Sequence, residues 1–338
     1  MTKSQKILRS ALFILLGIVL VALAVCDLLI GTTSIPASEV WAALMGNATD
    51  VSHATIVLNM RLPKVIVAIA AGMALSASGL QMQTLFRNPL AGPYVLGINS
   101  GASLGVALFI LGAPLLGLGG SAMLSTMGVA GAAWLGAAAI LAVVAAVSQR
   151  IKDIMVILIL GMMVSSGVSA IVQILQYLSN EESLKSFVIW TMGSLGDITS
   201  SQLWLVAPAV VAGLLISVAV IKPMNLLLLG EGYARTMGLN IRRTRSLILL
   251  STTLLAGTTT AFCGPIGFIG LAIPHVARML IRNADHRLLL PATALTGAVS
   301  LLVCDIVSKM LTLPVNTITA LLGIPIVIWV VIRNKNIV

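Results

Sequence analysis

Charge is what this sequence has least of: Asp, Glu, Lys and Arg make up 9% of the 338 residues, against 59% hydrophobic side chains. A soluble domain carries about 25% charged residues because its surface must be wetted. A water-soluble globular fold is therefore excluded, and a mean hydropathy of +1.09 places the chain in a bilayer. Cysteine is also scarce. Cys26, Cys263 and Cys304 lie in or beside apolar runs, with no CxxC spacing and no histidine cluster near them. They read as small buried hydrophobes, so no bound metal, Fe–S centre or other cofactor is expected. Signatures of catalysis are missing as well: there is no GxxxxGK[ST], no HExxH, no GxSxG and no believable pair of catalytic acids. No catalytic residue is assigned, and the chain does not bind ATP through a Walker loop. If the chain moves a substrate uphill, the energy must come from an ion gradient or from another subunit.

What is present is a succession of apolar runs, each near the roughly 20 residues that cross about 30 Å of hydrocarbon. They are too long and wrongly flanked for a removable signal peptide. The pattern predicts an all-α polytopic membrane protein, residues 1–338 forming a single transmembrane domain of about ten helices. The spans fall near Ile7–Ile30, Leu62–Thr84, Tyr94–Leu111, Ala122–Val147, Ile154–Leu178, Leu203–Ile221, Ser246–Phe262, Ile266–Ile281, Leu288–Lys309 and Val315–Ile332. An amphipathic piece around Val40–Gly46 follows the first span, and a Gly-rich outer turn parts the third and fourth. Pro89, Gly92 and Pro93 forbid a regular helix through the corner after the second. No short-period repeat is visible.

The net charge of +10 does not point to nucleic acid, because the basic residues are scattered over short loops and form no aromatic-interleaved stripe. Their placement is topological. With a cytoplasmic amino terminus, 16 of the 20 Lys and Arg residues fall inside, and Arg61, Lys64, Lys185 and Lys309 fall outside. Glu39, Asp50, Glu181, Glu182 and Asp197 gather on the outer side. This is the positive-inside asymmetry, and it puts both termini in the cytoplasm.

One insert stands out on the inner side. Gly230–Arg245 reads GEGYARTMGLNIRRTR, more polar and longer than a chain reversal between two spans requires. Residues 222–245 are therefore expected to form a cytoplasmic coupling segment that a soluble partner reads. Small residues four apart at Ala68, Gly72 and Ser76, and at Gly97, Gly101 and Gly105, are assigned to close helix packing. In span five, Gly161, Ser165, Ser169 and Gln173 share one face that grows more polar toward the outer end. Such a face avoids lipid, so it either lines a watered translocation pathway or hydrogen-bonds to other helices.

Arg61, Lys64 and Lys309 admit two accounts: snorkelling anchors, or a basic rim on which an external protein docks its carboxylates. Asp305 lies one turn from Lys309, and an i,i+4 pair is preferred to a proton relay because no other acid lies deep in a span. His275 reads as a structural, hydrogen-bonded histidine, and His53 and His286 as loop residues without metal-ligand company.

Several stretches together carry a resemblance: RLPK at Arg61–Lys64, RNPLAGPYVLGINSGA at Arg87–Ala102, WTMGSLGD at Trp190–Asp197, LGEGYARTMGL, FCGPIGFIGLAIPH at Phe262–His275, DHRLLLP at Asp285–Pro291 and LPVNTITALLGIP at Leu313–Pro325. In this order they resemble the membrane permeases of type II ABC importers, which carry iron-siderophores, haem or cobalamin across the bacterial inner membrane. The resemblance covers nearly the whole chain. It implies a homodimer with the pathway on its two-fold axis, two ATP-binding ABC subunits beneath, and a periplasmic or lipid-anchored solute-binding protein above. It also implies that Glu231, Ala234, Arg235, Gly238 and Leu239 lie in the coupling helices that fit a cleft on the ATPase. By the same resemblance span five lines the channel, and Arg61, Lys64 and Lys309 occupy the docking rim. Asn316 and Thr317 depart from the family pattern, standing where small residues are common, and lysines replace arginines at two rim sites. The CGPIGFIG and GLNIRRTR stretches look more like the siderophore and haem branches, with cobalamin as the alternative. An ion-coupled secondary transporter and an intramembrane enzyme are the rivals from other classes. The first lacks a cluster of intramembrane acids, and the second lacks a nucleophile with its base.

Overall fold

In lipid an apolar side chain gains little by leaving acyl chains for a neighbouring helix, so helices associate where their backbones can come close and where polar groups find partners. The computed structural model describes residues 3–31, 33–112, 126–148, 151, 154–196 and 198–333, and every regular element among them is helical. The Gly-rich outer turn, most of the basic turn at 149–153, Asp197 and Lys335 lie outside the described residues.

Fourteen helices are labelled in chain order: α1 (Lys3–Leu29), α2 (Ala37–Leu44), α3 (Val51–Phe86), α4 (Ile98–Gly112), α5 (Thr126–Ser148), α6 (Ile154–Leu178), α7 (Glu181–Thr191), α8 (Ser200–Ala219), α9 (Ile221–Leu228), α10 (Glu231–Thr236), α11 (Ile241–Cys263), α12 (Ile269–Ile281), α13 (His286–Leu311) and α14 (Val315–Arg333). Among the described residues seven are long and apolar enough to cross a membrane, and α4, α12 and most of α14 are shorter apolar helices. These elements follow the expected spans in order.

α3 is the axis of the bundle. Its hydrophobic stretch is 78% buried, whereas that of α1 is 11% buried and faces outward along most of its length. The small-residue stripe of α3 explains how it is enclosed. A Cβ on Gly72 would strike the carbonyl of Gly297 in α13, and one on Gly79 would strike the carbonyl of Gly270 in α12. The stripe Gly101–Gly105 does the same for α4 against Ala132 and Gly136 of α5. Both stripes are packing devices, as expected. A polar knot adds direction to this contact. Gln81 of α3 donates to Ser217 of α8 and to Ser251 of α11 at 3.0 Å, and accepts from Thr252 at 3.2 Å. Both the oxygen and the nitrogen of that buried amide have partners, which is what lipid demands of a polar side chain at depth.

Three of the differences from expectation matter most. α3 begins at Val51 and not Leu62, making a helix of 36 residues, about 54 Å long; it therefore reaches well beyond the hydrocarbon. A π turn at Val57–Arg61 lies at that outer end. The acidic outer stretch after α6 is helical, because Asn180 caps α7 by accepting from Ser183 N–H at 2.8 Å and Glu181 and Glu182 occupy the favourable first turn. α12 has only 13 residues, about 20 Å, and the preceding Gly264–Phe268 is unwound. Unwound backbone at membrane depth survives only when protein satisfies it. Here Gly267 N–H donates to the Asn316 side chain at 2.9 Å, Tyr94 O–H donates to Ile266 O at 2.9 Å, and Ser194 N–H donates to Cys263 O at 2.8 Å.

Candidate functional site

The inner and outer sides are those that the charge asymmetry of the chain predicts. On the inner side, the 222–245 insert folds into α9, α10 and the start of α11. Gly230 at φ +107° and Gly238 at φ +82° make the two reversals that set α10 off as a short knob, a conformation a Cβ would strain. Ala234 is fully buried and belongs to the apolar cluster of Met224, Leu227, Phe86 and Ile241, with Leu239 packed at its edge. Glu231 turns back to Arg245 at 3.1 Å and stands 3.9 Å from Arg235. Arg235 itself keeps 63% of its side chain exposed, and Tyr233 and Met237 project beside it. Of the five expected coupling residues, Ala234 and Leu239 thus hold the knob to the body, Gly238 shapes it, Glu231 braces it, and Arg235 presents charge outward.

The span-five face divides. Gly161 is buried against the Val95 carbonyl, and Ser165 lies beside Gly97, so the inner half of the stripe is a packing surface. Ser169 and Gln173, in the outer half, are exposed. Ser165 and Ser169 each return their hydroxyl to the carbonyl four residues earlier, at 2.8 and 2.9 Å, so both donors are satisfied within the helix.

At the outer end the three expected rim cations all find partners within the chain. Arg61 is buried and caps α1: it donates to Leu28 O at 2.9 Å, to Leu29 O at 3.1 Å and to Thr33 O. Gly31 leaves room for the guanidinium, which a Cβ there would meet. Lys309 donates to Asp27 Oδ1 at 2.7 Å and to Asp27 O at 3.0 Å, and lies 3.1 Å from Asp305 Oδ2. Lys64 completes the group at 3.1 Å from Asp305 Oδ1. The expected Asp305–Lys309 pair is therefore one edge of a four-charge clasp joining α1, α3 and α13. The carboxylates are 0% and 1% exposed and Lys309 is 9% exposed. Two cations and two anions balance, which is the condition for ionic groups to persist at such a site.

Two residues escaped the reading of the sequence. Asp27 sits in the apolar run VCDLLIG near the end of its span, where it looks like an interfacial acid; its partner is 282 positions away. His286, read as a loop residue, opens α13, is 1% exposed and bonds to Thr84 and Asn225. The adjacent Asp285 caps α13, and the Arg287 backbone N–H, with help from Asn225, holds its carboxyl below the ordinary 3.8. His275 is the hydrogen-bonded histidine expected, 2.8 Å from Pro89 O. Asn316, noted as a departure, is the acceptor that satisfies the unwound segment.

Among the described residues no group of three His, Cys, Asp or Glu side chains could hold a metal ion. A cavity of about 400 Å³ between α12, α13 and α14 is lined by Phe268, Ile273, Val303, Leu322 and similar residues, and offers little polar grip on a ligand.

The sequence profile of the FecCD transport family matches residues 18–333. The chain is 36% identical over 333 residues to the hemin transport system permease protein HmuU of Yersinia pestis, covering 96% of this chain and 95% of that one. It is 34% identical over 321 residues to the vitamin B12 import system permease protein BtuC of Salmonella typhi, covering 94% and 95%. A solved structure, described as an inward-facing conformation of an ABC transporter assigned to the metal-chelate type, superposes with a TM-score of 0.82 at 32% identity, over 96% of this chain and 99% of the other. With a fold of apolar helices, a profile match along nearly its whole length and transport permeases as relatives, this multi-pass membrane protein belongs to the FecCD transport family.

Proposed function

We propose that this chain is the transmembrane permease of an ATP-driven importer that carries an iron chelate, a siderophore complex or haem, across the bacterial inner membrane, with a cobalamin importer as the alternative cargo. The observation that carries the reading is the α10 knob: a helix of six residues, fastened by Ala234 and Glu231 yet presenting Arg235, Tyr233 and Met237 to solvent. An exposed apolar and basic patch on a rigid mount is what a partner's cleft can grip, and nothing among the described residues covers it. Residues 222–245 are then the coupling segment, and the nucleotide is hydrolysed on a separate ATP-binding subunit.

Two copies of the chain would place the exposed outer half of α6 on the pathway. Ser169 and Gln173 are polar, neutral and weakly binding, which suits passage of a bulky chelate better than a tight cage does. ATP-driven closure of the two ATPases pushes α10, and the permease alternates between outward and inward opening. A solute-binding protein delivers cargo from outside. Of the three rim cations Lys64, 21% exposed, is the one that still offers charge to such a partner, while Arg61 and Lys309 shape the rim from within.

The ion-coupled reading gains one observation, since Asp27 joins Asp305 as a second buried acid, but both are neutralised by lysines. Reconstitution decides between them. Vesicles holding the permease with its ATPase, supplied with binding protein and cargo, are expected to accumulate ferric siderophore or haem on ATP addition after ion gradients are collapsed. Accumulation without any ATPase present would defeat the proposal. Cysteines at Ser169 and Gln173 are expected to react with water-soluble thiol reagents in at least one state, whereas a cysteine at Gly161 stays protected.

A further inference from the structure

The DHRLLLP stretch meets the coupling segment directly. Asn225 of α9 donates from Nδ2 to Asp285 Oδ1 at 2.7 Å. Its Oδ1 accepts the backbone N–H of His286 at 2.9 Å and lies 2.7 Å from His286 Nδ1. The amide has one possible orientation, because a backbone N–H can only donate and an ionised carboxylate can only accept. The same logic places a proton on Nδ1 of His286. Its Nε2 is 2.9 Å from the Thr84 hydroxyl, near the inner end of α3. Three residues along α9, Arg87 at the end of α3 donates to Leu228 O at 3.3 Å and packs beside Gly230, where α10 begins.

Both polar anchors of α9 thus run to α3 and α13, the pair locked together by Gly72 and Gly297. The apolar packing of Met224 and Leu227 on Met82, Leu85 and Phe86 points the same way but is non-directional. The Asn225 joint resists rotation of α9, since it uses both a side-chain donor and a side-chain acceptor against the start of a helix that continues to Asp305 and Lys309.

We propose that Asn225 is a positioning residue for energy coupling: seated between Asp285 and His286, it holds the coupling segment in register with the α3–α13 pair, so that a push on α10 moves those helices as one body. The inference rests on the reading of 222–245 as the coupling segment. Loss of this joint leaves ATP hydrolysis running while less cargo moves for each ATP consumed.

The experiment is a swap cycle in proteoliposomes carrying permease and ATPase, with binding protein and cargo supplied, reading both cargo uptake and phosphate release. Asn225→Asp sets a second carboxylate against Asp285, and uptake per ATP is expected to fall about fivefold or more while the ATPase still co-purifies. Asp285→Asn keeps an acceptor for both Asn225 and the Arg287 N–H and is expected to stay within about twofold of wild type. The double variant exchanges the two side chains: the repulsion is gone, and the amide now at position 285 can donate to the carboxylate at position 225. It is expected to recover the ratio to within about twofold. Thr84→Val, which introduces no charge, breaks the far end of the same chain and serves if Asn225→Asp does not assemble; it too is expected to lower uptake per ATP. An unchanged ratio in assembled Asn225→Asp or in Thr84→Val, or a loss that Asp285→Asn does not repair, overturns the proposal. Failure of the underlying reading looks different: wild-type vesicles then accumulate cargo without ATPase.

Discussion

The outer clasp allows a quantitative test of what holds α1 to the rest of the bundle. Asp27→Asn is nearly isosteric, so it changes charge and not volume. It removes the negative charge 2.7 Å from Lys309 and leaves three charges, with Asp305 shared between two ammonium groups at 3.1 Å each. Breaking one side of a buried pair costs about 3–5 kcal/mol, because the remaining charge is left without compensation. Replacing both members by neutral groups is often close to neutral. Asp27→Asn/Lys309→Met is therefore expected to recover most of the loss, with Asp305 and Lys64 still paired. The assay is equilibrium unfolding of the purified permease in mixed micelles, read for wild type, both single variants and the double. A coupling energy of about 2 kcal/mol or more between the two sites is expected. Single variants within about 0.5 kcal/mol of wild type, or costs that simply add, would refute the clasp. Because α1 is little covered by the rest of the chain along most of its length, its outer end is also expected to become accessible to protease in Asp27→Asn before the core unfolds.

Other consequences follow from single contacts. Gly79→Ala puts a methyl group onto the Gly270 carbonyl, a backbone atom that cannot turn aside, so a loss of about 3 kcal/mol or more, seen as poor recovery of folded protein, is expected. Gly232→Ala meets nothing and lies within α10, so stability should be kept or rise by up to about 1 kcal/mol. Asn316→Ala leaves Gly267 N–H without a partner in the unwound segment and should cost about 1–3 kcal/mol by the same unfolding assay. Asp285 has its pKa lowered by folding, so the stability it contributes is present above its ordinary 3.8 and is lost as pH falls through the lower native value; in Asp285→Asn that acid-side loss should disappear from the pH–stability curve.

Much of the architecture was legible because the bilayer imposes a local rule. A span needs a run of apolar residues of fixed length, and loop charge follows side, so helix order could be read without knowing a single contact. The packing role of Gly72 and Gly101 was legible for a similar reason, since small residues at intervals of four mark a face by themselves. Residues with two-sided duties were harder. Asn316 looked like an exception to a pattern and proved to be the acceptor for a backbone N–H 49 positions away.

The sequence by itself determined that this is a helical membrane protein, where its polar insert lies and which family it resembles, because each of these depends on composition or on short-range order. Only the tertiary structure decided where charge goes. Arg61, Lys64 and Lys309 look like surface cations from their positions near span ends, but the fold brings Asp27, Asp305 and the carbonyls at the end of α1 within reach. The same holds for Asn225, whose neighbours lie 60 and 61 positions away. Electrostatic partnership is set by distance in space and by the exclusion of water, and neither quantity is written along the chain.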